Sequence, residues 1–328
     1  MLEHFASGAA FGAALTATGM QQPSVIIAQM KLENWHMVQT FLTASGASTL
    51  VVSLCQKLGY LKFNPRNCSS LGLFSTLDGN IIGGCLLGMG MTLSGSCPGT
   101  VFAQVGSGVP SSSYTLGGAL LGGLIWTCSL RSALGLRAKY DTPVTPDSGD
   151  LTVDNALGAS RGTIVAGVGI VFAGIVAVIS ALGLGKQASP IGPVQGGLLI
   201  ASAQLLSVLV RDTLLGTSTS FEEFGDHVKW MMKGGGEGKP KSWSYMVVVS
   251  GMMVGGLGAS FAVPLSQTAA VVSPLRLVLG GALLVLGARI GGGCTSGHGI
   301  SGISQLSAAS FVSVMAMFVG AFGTAVFV

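Results

Sequence analysis

Two stretches of this sequence set a cysteine among glycines and hydroxyl side chains. They are Gly90-Met91-Thr92-Leu93-Ser94-Gly95-Ser96-Cys97-Pro98-Gly99-Thr100 and Arg289-Ile290-Gly291-Gly292-Gly293-Cys294-Thr295-Ser296-Gly297-His298-Gly299. A thiol is polarizable and a weak S–H donor, so it suits a soft atom such as sulfur better than chloride or phosphate, for which arginine is the stronger partner. Beside it, Ser94, Ser96 and Thr100, or Thr295 and Ser296, together with backbone N–H groups, would hold the oxygens of the same ligand. Between Thr92 and Ser113 there is no Lys or Arg. Weak binding at several points without a full counter-charge lets an anion leave as well as arrive. A thiolate about 4 Å from a dianion would be repelled by roughly 8 kcal/mol at an effective dielectric near 20, more than a helix N-terminus returns. Both thiols are therefore expected to act as protonated hydrogen-bond donors, not as nucleophiles.

Glycine density breaks a helix at both places, and Pro98 is suited to the first turn of a following half-helix. A break at membrane depth exposes backbone N–H groups, which is tolerated only where they line a cavity or path. The other four cysteines, Cys55, Cys68, Cys85 and Cys128, lie in apolar helices or a loop and read as packing residues, and no pair forms a CxxC motif. His298 is either a proton-linked gate or a hydrogen-bonded helix-end histidine. Arg289 either guides an anion at an exit or anchors the helix by its charge. Met20 and Met91 are the methionines placed to touch a sulfur path, and Glu222, Glu223 and Asp226 read as a solvated face. There is no Walker loop, nucleotide fingerprint or metal-ligand spacing, so neither a cofactor nor a metal is expected.

These motifs need elements to carry them, and the composition says which kind. Of 328 residues, 49% are hydrophobic, 9% are charged and 52 are glycine. Soluble domains carry about 25% charge and about 7% glycine, which points to an all-α integral membrane protein whose glycines allow close packing and breaks. Nine apolar segments read as spans: 5–20, 35–54, 77–92, 113–134, 160–183, 191–215, 243–263, 274–291 and 307–328. Polar connections at 135–159 and 216–242 interrupt them. Assigning loops alternately to two sides puts thirteen of the 16 Lys and Arg on one side, leaving only Lys31, Lys186 and Arg276 on the other. That asymmetry predicts a cytoplasmic N-terminus and an outside C-terminus, most simply in the cell membrane. It also argues against a nucleic-acid surface.

Laying Gly83-Gly84-Cys85-Leu86-Leu87-Gly88-Met89-Gly90 over Gly280-Gly281-Ala282-Leu283-Leu284-Val285-Leu286-Gly287 also superposes Gly95 on Gly292 and Cys97 on Cys294. The chain is thus expected to hold a first repeat of four spans (1–134), a linker with an inverting span (135–190) and a second repeat of four spans (191–328). An odd number of crossings between equivalent points makes the second repeat inverted, an arrangement of transporters. The Cys97 break would open from outside and the Cys294 break from the cytoplasm.

The stretch Gly292-Gly293-Cys294-Thr295-Ser296-Gly297-His298-Gly299-Ile300-Ser301-Gly302 resembles the signature of the YeeE/YedE sulphur-transport family, the thiosulfate importers. Leu93 to Gly99 resembles the companion half, which some bacteria carry as a separate chain, and Gly8 to Val25 and Leu215 to Phe221 resemble the first-span motifs. The resemblance implies a pseudo-symmetric, channel-like fold that passes thiosulfate between cysteines by S–H contacts to sulfur. Characterised importers carry a third functional cysteine in the first-span motif. Here Thr18-Gly19-Met20-Gln21-Gln22 has none, so either the relay has two thiols or the substrate differs from thiosulfate.

The leading expectation is an uptake transporter for thiosulfate or a related sulfur-containing anion, not an enzyme, with a sulfur carrier or sulfurtransferase as the cytoplasmic partner that would receive it. The rival readings are a membrane sulfurtransferase or thiol oxidoreductase using Cys97 and Cys294, and an unselective small-anion channel.

Overall fold

A computed structural model of the chain describes residues 1–60, 65–134, 152–187, 189–235, 239–240, 242–262 and 272–328. Among these residues the protein is helical, with one isolated bridge between Thr152 and Ser307. In chain order the helices are α1 (Leu2–Ala17), α2 (Pro23–Met30), α3 (His36–Lys57), α4 (Asp78–Ser94), α5 (Thr100–Gly106), α6 (Ser112–Ile125), α7 (Val153–Leu157), α8 (Arg161–Ala181), α9 (Pro193–Arg211), α10 (Thr219–Met232), α11 (Ser244–Ala262), α12 (Pro274–Ile290) and α13 (Ala308–Ala325). A π turn at Trp126–Leu130 prolongs α6, and another at Ser296–Gly302 lies between α12 and α13.

A helix lies at each of the nine apolar segments, its ends within four residues of those expected from sequence except at α6, which stops at Ile125 and is carried on by the π turn to Leu130. Proline opens α2, α9 and α12, where its missing N–H is an orphan in any helix. Five helices, α3, α8, α9, α11 and α13, are long and apolar enough to cross a membrane. α8 is apolar on every face yet buries only Val165 and Ile179 within the protein, the behaviour of a helix whose remaining surface meets lipid.

The helices pack in matched pairs. α1 packs on α11 as α3 packs on α9; α4 packs on α13 as α12 packs on α6; α5 packs on α11 as the second π turn packs on α3. At the centre α4 crosses α12, with Gly83 against Gly287 and Gly90 against Gly280. A Cβ at Gly83 would overlap the backbone of Gly291, and one at Gly90 would sit 2.6 Å from Leu284 N and 2.7 Å from Gly280 O. Bare glycine is what lets these backbones meet.

Polar contacts sort the loops into two ends. At one end Arg131 pairs with Asp226 at 2.6 Å and with Glu222 at 2.9 Å, Arg289 pairs with the same Glu222, and Arg66 reaches Gly292. At the other, Asn34 bonds Lys186, and Arg276 bonds Leu93. These are the groupings expected from alternating loops.

Two readings need correction. The connection at 216–242 contains an amphipathic helix, α10. Its acidic residues are not a solvated face: Glu222 and Asp226 hold arginines, and Glu223 accepts N–H bonds from Tyr245 and Met246. An amphipathic helix is polar enough on average to read as a loop, and its charges are matched by arginines far away in sequence. The connection at 135–159 lies outside the described residues as far as 151, with Arg137 and Lys139; so do Lys62 and Lys241.

Candidate functional site

The Cys97 break, called outer after the orientation expected from the loop charges as the Cys294 break is called inner, begins where α4 stops at Gly95, whose φ of +61° takes the left-handed cap that glycine adopts without strain. Gln104 Nε2 donates to Gly95 O at 3.0 Å, and Ser96 Oγ bonds Gln104 Oε1. Cys97 N donates to Thr100 Oγ1 at 2.7 Å, and Thr100 N donates to Cys97 Sγ at 3.3 Å. The thiol thus takes the N–H of Thr100, which opens α5 and would otherwise be orphaned, while Thr100 in return takes the N–H of Cys97 ahead of the helix. Ser94 turns back on its own helix, donating to Gly90 O at 2.7 Å. Pro98 and Gly99 precede α5, and Gly99 faces Thr217 Oγ1.

The inner break restarts as the π turn at Ser296–Gly302. Cys294 Sγ lies 3.3 Å from Ser296 Oγ and 3.5 Å from Thr217 Oγ1. His298 Nε2 lies 3.0 Å from Gly291 O, and its Nδ1 lies 3.0 Å from Ser310 Oγ. A carbonyl can only accept, so Nε2 carries the proton and Ser310 donates to Nδ1. With both nitrogens taken, His298 holds the break in shape. The guanidinium of Arg66 donates to Gly292 O at 3.0 Å.

One cavity of about 30 Å³ joins the two motifs: Cys97, Gly99 and Thr100 line it from one side, Thr295 and Ser296 from the other, with Met20 and Phe41 among its walls. A second, of about 10 Å³, is lined by Gly293, Cys294, Thr295 and His298. Thr295 belongs to both, and its hydroxyl donates to the sulfurs of Met91 and Met317 at 3.5 Å each. A buried water needs roughly 10–15 Å³ of such space, so each of these two voids has room for no more than a water or two. Cys97 is 8% exposed and Cys294 1%.

Most of the residues singled out from sequence therefore meet. Met20 sits in the cavity of Cys97, and Met91 lies beside Thr295. Arg289 stands apart: Glu222 neutralises it, which fits its reading as an anchor and leaves no charge to guide an anion. Cys55 is buried on α3, and Cys128 is exposed. The sequence reading gave no role to Thr217, Gln104 or Arg66. Thr217 lies in the Leu215 to Phe221 motif, which signalled importance without a function. Arg66 gave only the signal of a charged loop. The stretch from Thr92 to Ser113 has no Lys or Arg of its own, but Arg276 donates to the carbonyls of Thr92 and Leu93 at 3.3 and 3.0 Å, and Arg66 sits at the inner break.

A model of the family described as sulphur transport matches residues 18–323. The thiosulfate transporter TsuA of Spirochaeta thermophila is 25% identical over 286 residues, covering 81% of this chain and 80% of that protein. A probable transporter of Xylella fastidiosa strain Temecula1 is 28% identical over 135 residues, which is 41% of this chain but 92% of that protein; its counterpart in strain 9a5c is 29% identical over the same length.

Proposed function

This chain belongs to the sulphur-transport family, and from that premise we propose that it takes up thiosulfate or a closely related sulfur oxyanion, passed between Cys97 and Cys294 by S–H hydrogen bonds without covalent chemistry. The observation that carries this reading is the pair of cysteine-bearing breaks, one after α4 and one after α12, whose residues meet at one cavity, with Thr295 shared between the two voids. Each thiol stands among hydrogen-bonding neighbours suited to oxyanion oxygens: Thr100 at Cys97, Ser296 and Thr217 at Cys294. Met20, Met91 and Met317 line the interval with soft thioether sulfurs, which accept but cannot donate.

In this reading nine helices cross the membrane as two inverted repeats, 1–134 and 191–328, with 135–190 carrying the inverting helix α8. The matched helix pairs and the reciprocal Gly83–Gly287 and Gly90–Gly280 contacts support it, as does a relative matched over most of its own length by under half of this chain. The sorting of basic loops to one end supports a cytoplasmic N-terminus in the cell membrane. In this reading transport proceeds through alternate opening of the outer and inner breaks, since the two voids between them are too small for a sulfur oxyanion. A cytoplasmic sulfur carrier or sulfurtransferase would take the delivered anion.

The test is uptake of thiosulfate labelled at both sulfurs into proteoliposomes. Intact labelled thiosulfate inside, with sulfate excluded, is the expected result. Sulfite or a cysteine persulfide among the products would overturn the non-covalent step, and equal passage of sulfate would overturn the selectivity.

A further inference from the structure

Helix α8 packs chiefly on α3, and a long furrow runs between the two. One part of it, with room for about 460 Å³, is walled by small and apolar side chains, among them Leu42, Ala47 and Leu50 of α3 and Phe172, Ala173 and Val176 of α8. The other part, about 560 Å³, continues past Leu50 and Leu54 to the end of α3, where the walls become Ser53, Gln56, Lys57 and Arg161. Leu50 belongs to both, so apolar trough and polar mouth are one feature. The mouth holds several polar atoms that the fold does not use. Ser53 Oγ, Gln56 Oε1 and the Nε and Nη2 of Arg161 are buried with no hydrogen-bond partner among the described residues. A serine inside a helix commonly returns its hydroxyl to the carbonyl four residues back, as Ser45 and Thr49 do on this same helix; Ser53 does not. Lys57 makes no ion pair among the described residues, and Arg161 comes no nearer than 3.9 Å to Asp154. Two cations therefore face one carboxylate at the mouth.

We propose that this furrow binds one anionic phospholipid of the surrounding bilayer, with the phosphodiester held by Lys57, Arg161 and Ser53 and an acyl chain laid along the trough between α3 and α8. The order of features is that of the lipid itself: charge at the helix ends, where headgroups lie, and an apolar run from there towards the middle of the bilayer. A Cβ added at Gly162 in the mouth would meet nothing within 4 Å, and neither would one at Gly169 beside the trough, so both glycines border open space. A second copy of the chain suits the furrow less well. A two-fold dimer built on it would set the basic mouth against its own like charge, whereas a phosphodiester neutralises it. A free oxyanion would occupy the mouth and leave the trough unused. The site lies apart from the cysteines, since α3 turns Met37, Thr40 and Phe41 to the cavity of Cys97, and it does not depend on what the protein carries.

The test is native mass spectrometry of the detergent-solubilised protein offered phosphatidylglycerol and phosphatidylcholine of identical acyl chains together. The native protein should retain one phosphatidylglycerol, favoured over phosphatidylcholine by about tenfold or more. A single basic side chain near a headgroup is worth roughly fivefold, so K57Q should cut the preference by about that factor and the double variant K57Q/R161Q should abolish it. G169L, which fills the trough and leaves both cations in place, should lose most of the bound lipid. No lipid retained by the native protein, an unchanged preference in K57Q and the double variant, or native lipid occupancy in G169L overturns the proposal. So does displacement of the lipid by inorganic phosphate beyond that caused by chloride at equal ionic strength, which would mark a free-anion site, and so does a lipid-free dimer that G169L disperses. If the double variant does not fold, K57Q, which breaks no ion pair, decides with G169L: a reduced preference in the one and lost lipid in the other support the site, and native values in either overturn it.

Discussion

The outer and inner breaks carry the same cysteine in related glycine frames, yet their surroundings differ in kind. Cys97 is built into a helix start, its sulfur accepting from Thr100 N, and it looks into a cavity walled by Phe11, Leu15, Ile26 and Phe41. Cys294 follows the helix end, ringed by the hydroxyls of Ser296 and Thr217 with a guanidinium alongside. Two similar motifs supply two thiols, and the chain folded over each sets what that thiol could offer a ligand. At Cys97 that is mainly the sulfhydryl itself; at Cys294 it is a sulfhydryl with hydroxyl partners.

The comparison breaks most decisively at the thiols. Removing an S–H donor costs about 1–1.5 kcal/mol of binding, so Cys97→Ala and Cys294→Ala should each lower thiosulfate flux in proteoliposomes about tenfold or more, while Cys128→Ala, on an exposed position, leaves it unchanged. Serine in either place keeps a donor but loses the soft atom and should fall between alanine and native. Native flux in both alanine variants would leave the relay with no role for sulfur.

Next in size is a difference in packing. A Cβ on Gly99 would meet its nearest neighbour, Thr217 Oγ1, at 3.5 Å, an ordinary contact, whereas a Cβ on Gly299 would fall inside the ring of Phe41. Gly299→Ala should therefore destabilise by about 1–3 kcal/mol, read as a lowered melting temperature in detergent, with Gly99→Ala close to native. Equal melting temperatures would mean that the inner break is looser than its contacts imply.

The hydroxyls sharpen the contrast further. Thr100→Val removes the oxygen that receives Cys97 N, so about 1 kcal/mol of stability should go while the thiol itself remains. Thr217→Val leaves every helix cap intact but strips an oxygen from Cys294, and should instead raise KM by about threefold to tenfold at constant melting temperature. Exchange of the two outcomes would reverse the roles assigned to the two sites.

How much of this was readable in advance follows from what each feature depends on. Apolar runs marked a helix at each of nine segments, five of them long and apolar enough to cross a membrane, because in lipid the backbone must satisfy itself within the segment. The glycine and cysteine pattern gave both breaks, since chain stiffness is a local property. Helix α10 was lost because its apolar face is diluted by Glu222, Glu223, Asp226 and Lys229, whose partners come from Arg131, Arg289 and the carbonyl of Thr127. Arg66 was lost for the same reason. A loop arginine at a span's end looks like any other determinant of orientation, and only the fold brings position 66 to position 292. Residue type was legible wherever chemistry is local, and illegible wherever it depends on which loop covers which break.

The smallest expected effect concerns the arginine that ends on helix carbonyls. Arg276 donates to Thr92 and Leu93 at the end of α4, where a cation offsets the negative pole of the helix. It is part-buried on the outer side, so Arg276→Gln should cost about 0.3–1 kcal/mol of stability. Its guanidinium also adds long-range attraction for an arriving anion, which salt screens over roughly 10 Å at 0.1 M. Arg276→Gln should accordingly raise KM for thiosulfate by about twofold to threefold in dilute buffer and hardly at all above roughly 0.3 M salt. Uptake by Arg276→Gln at two ionic strengths tests this, and a KM penalty that persists undiminished at high salt would mean that this charge binds the anion at contact range and does not merely steer it.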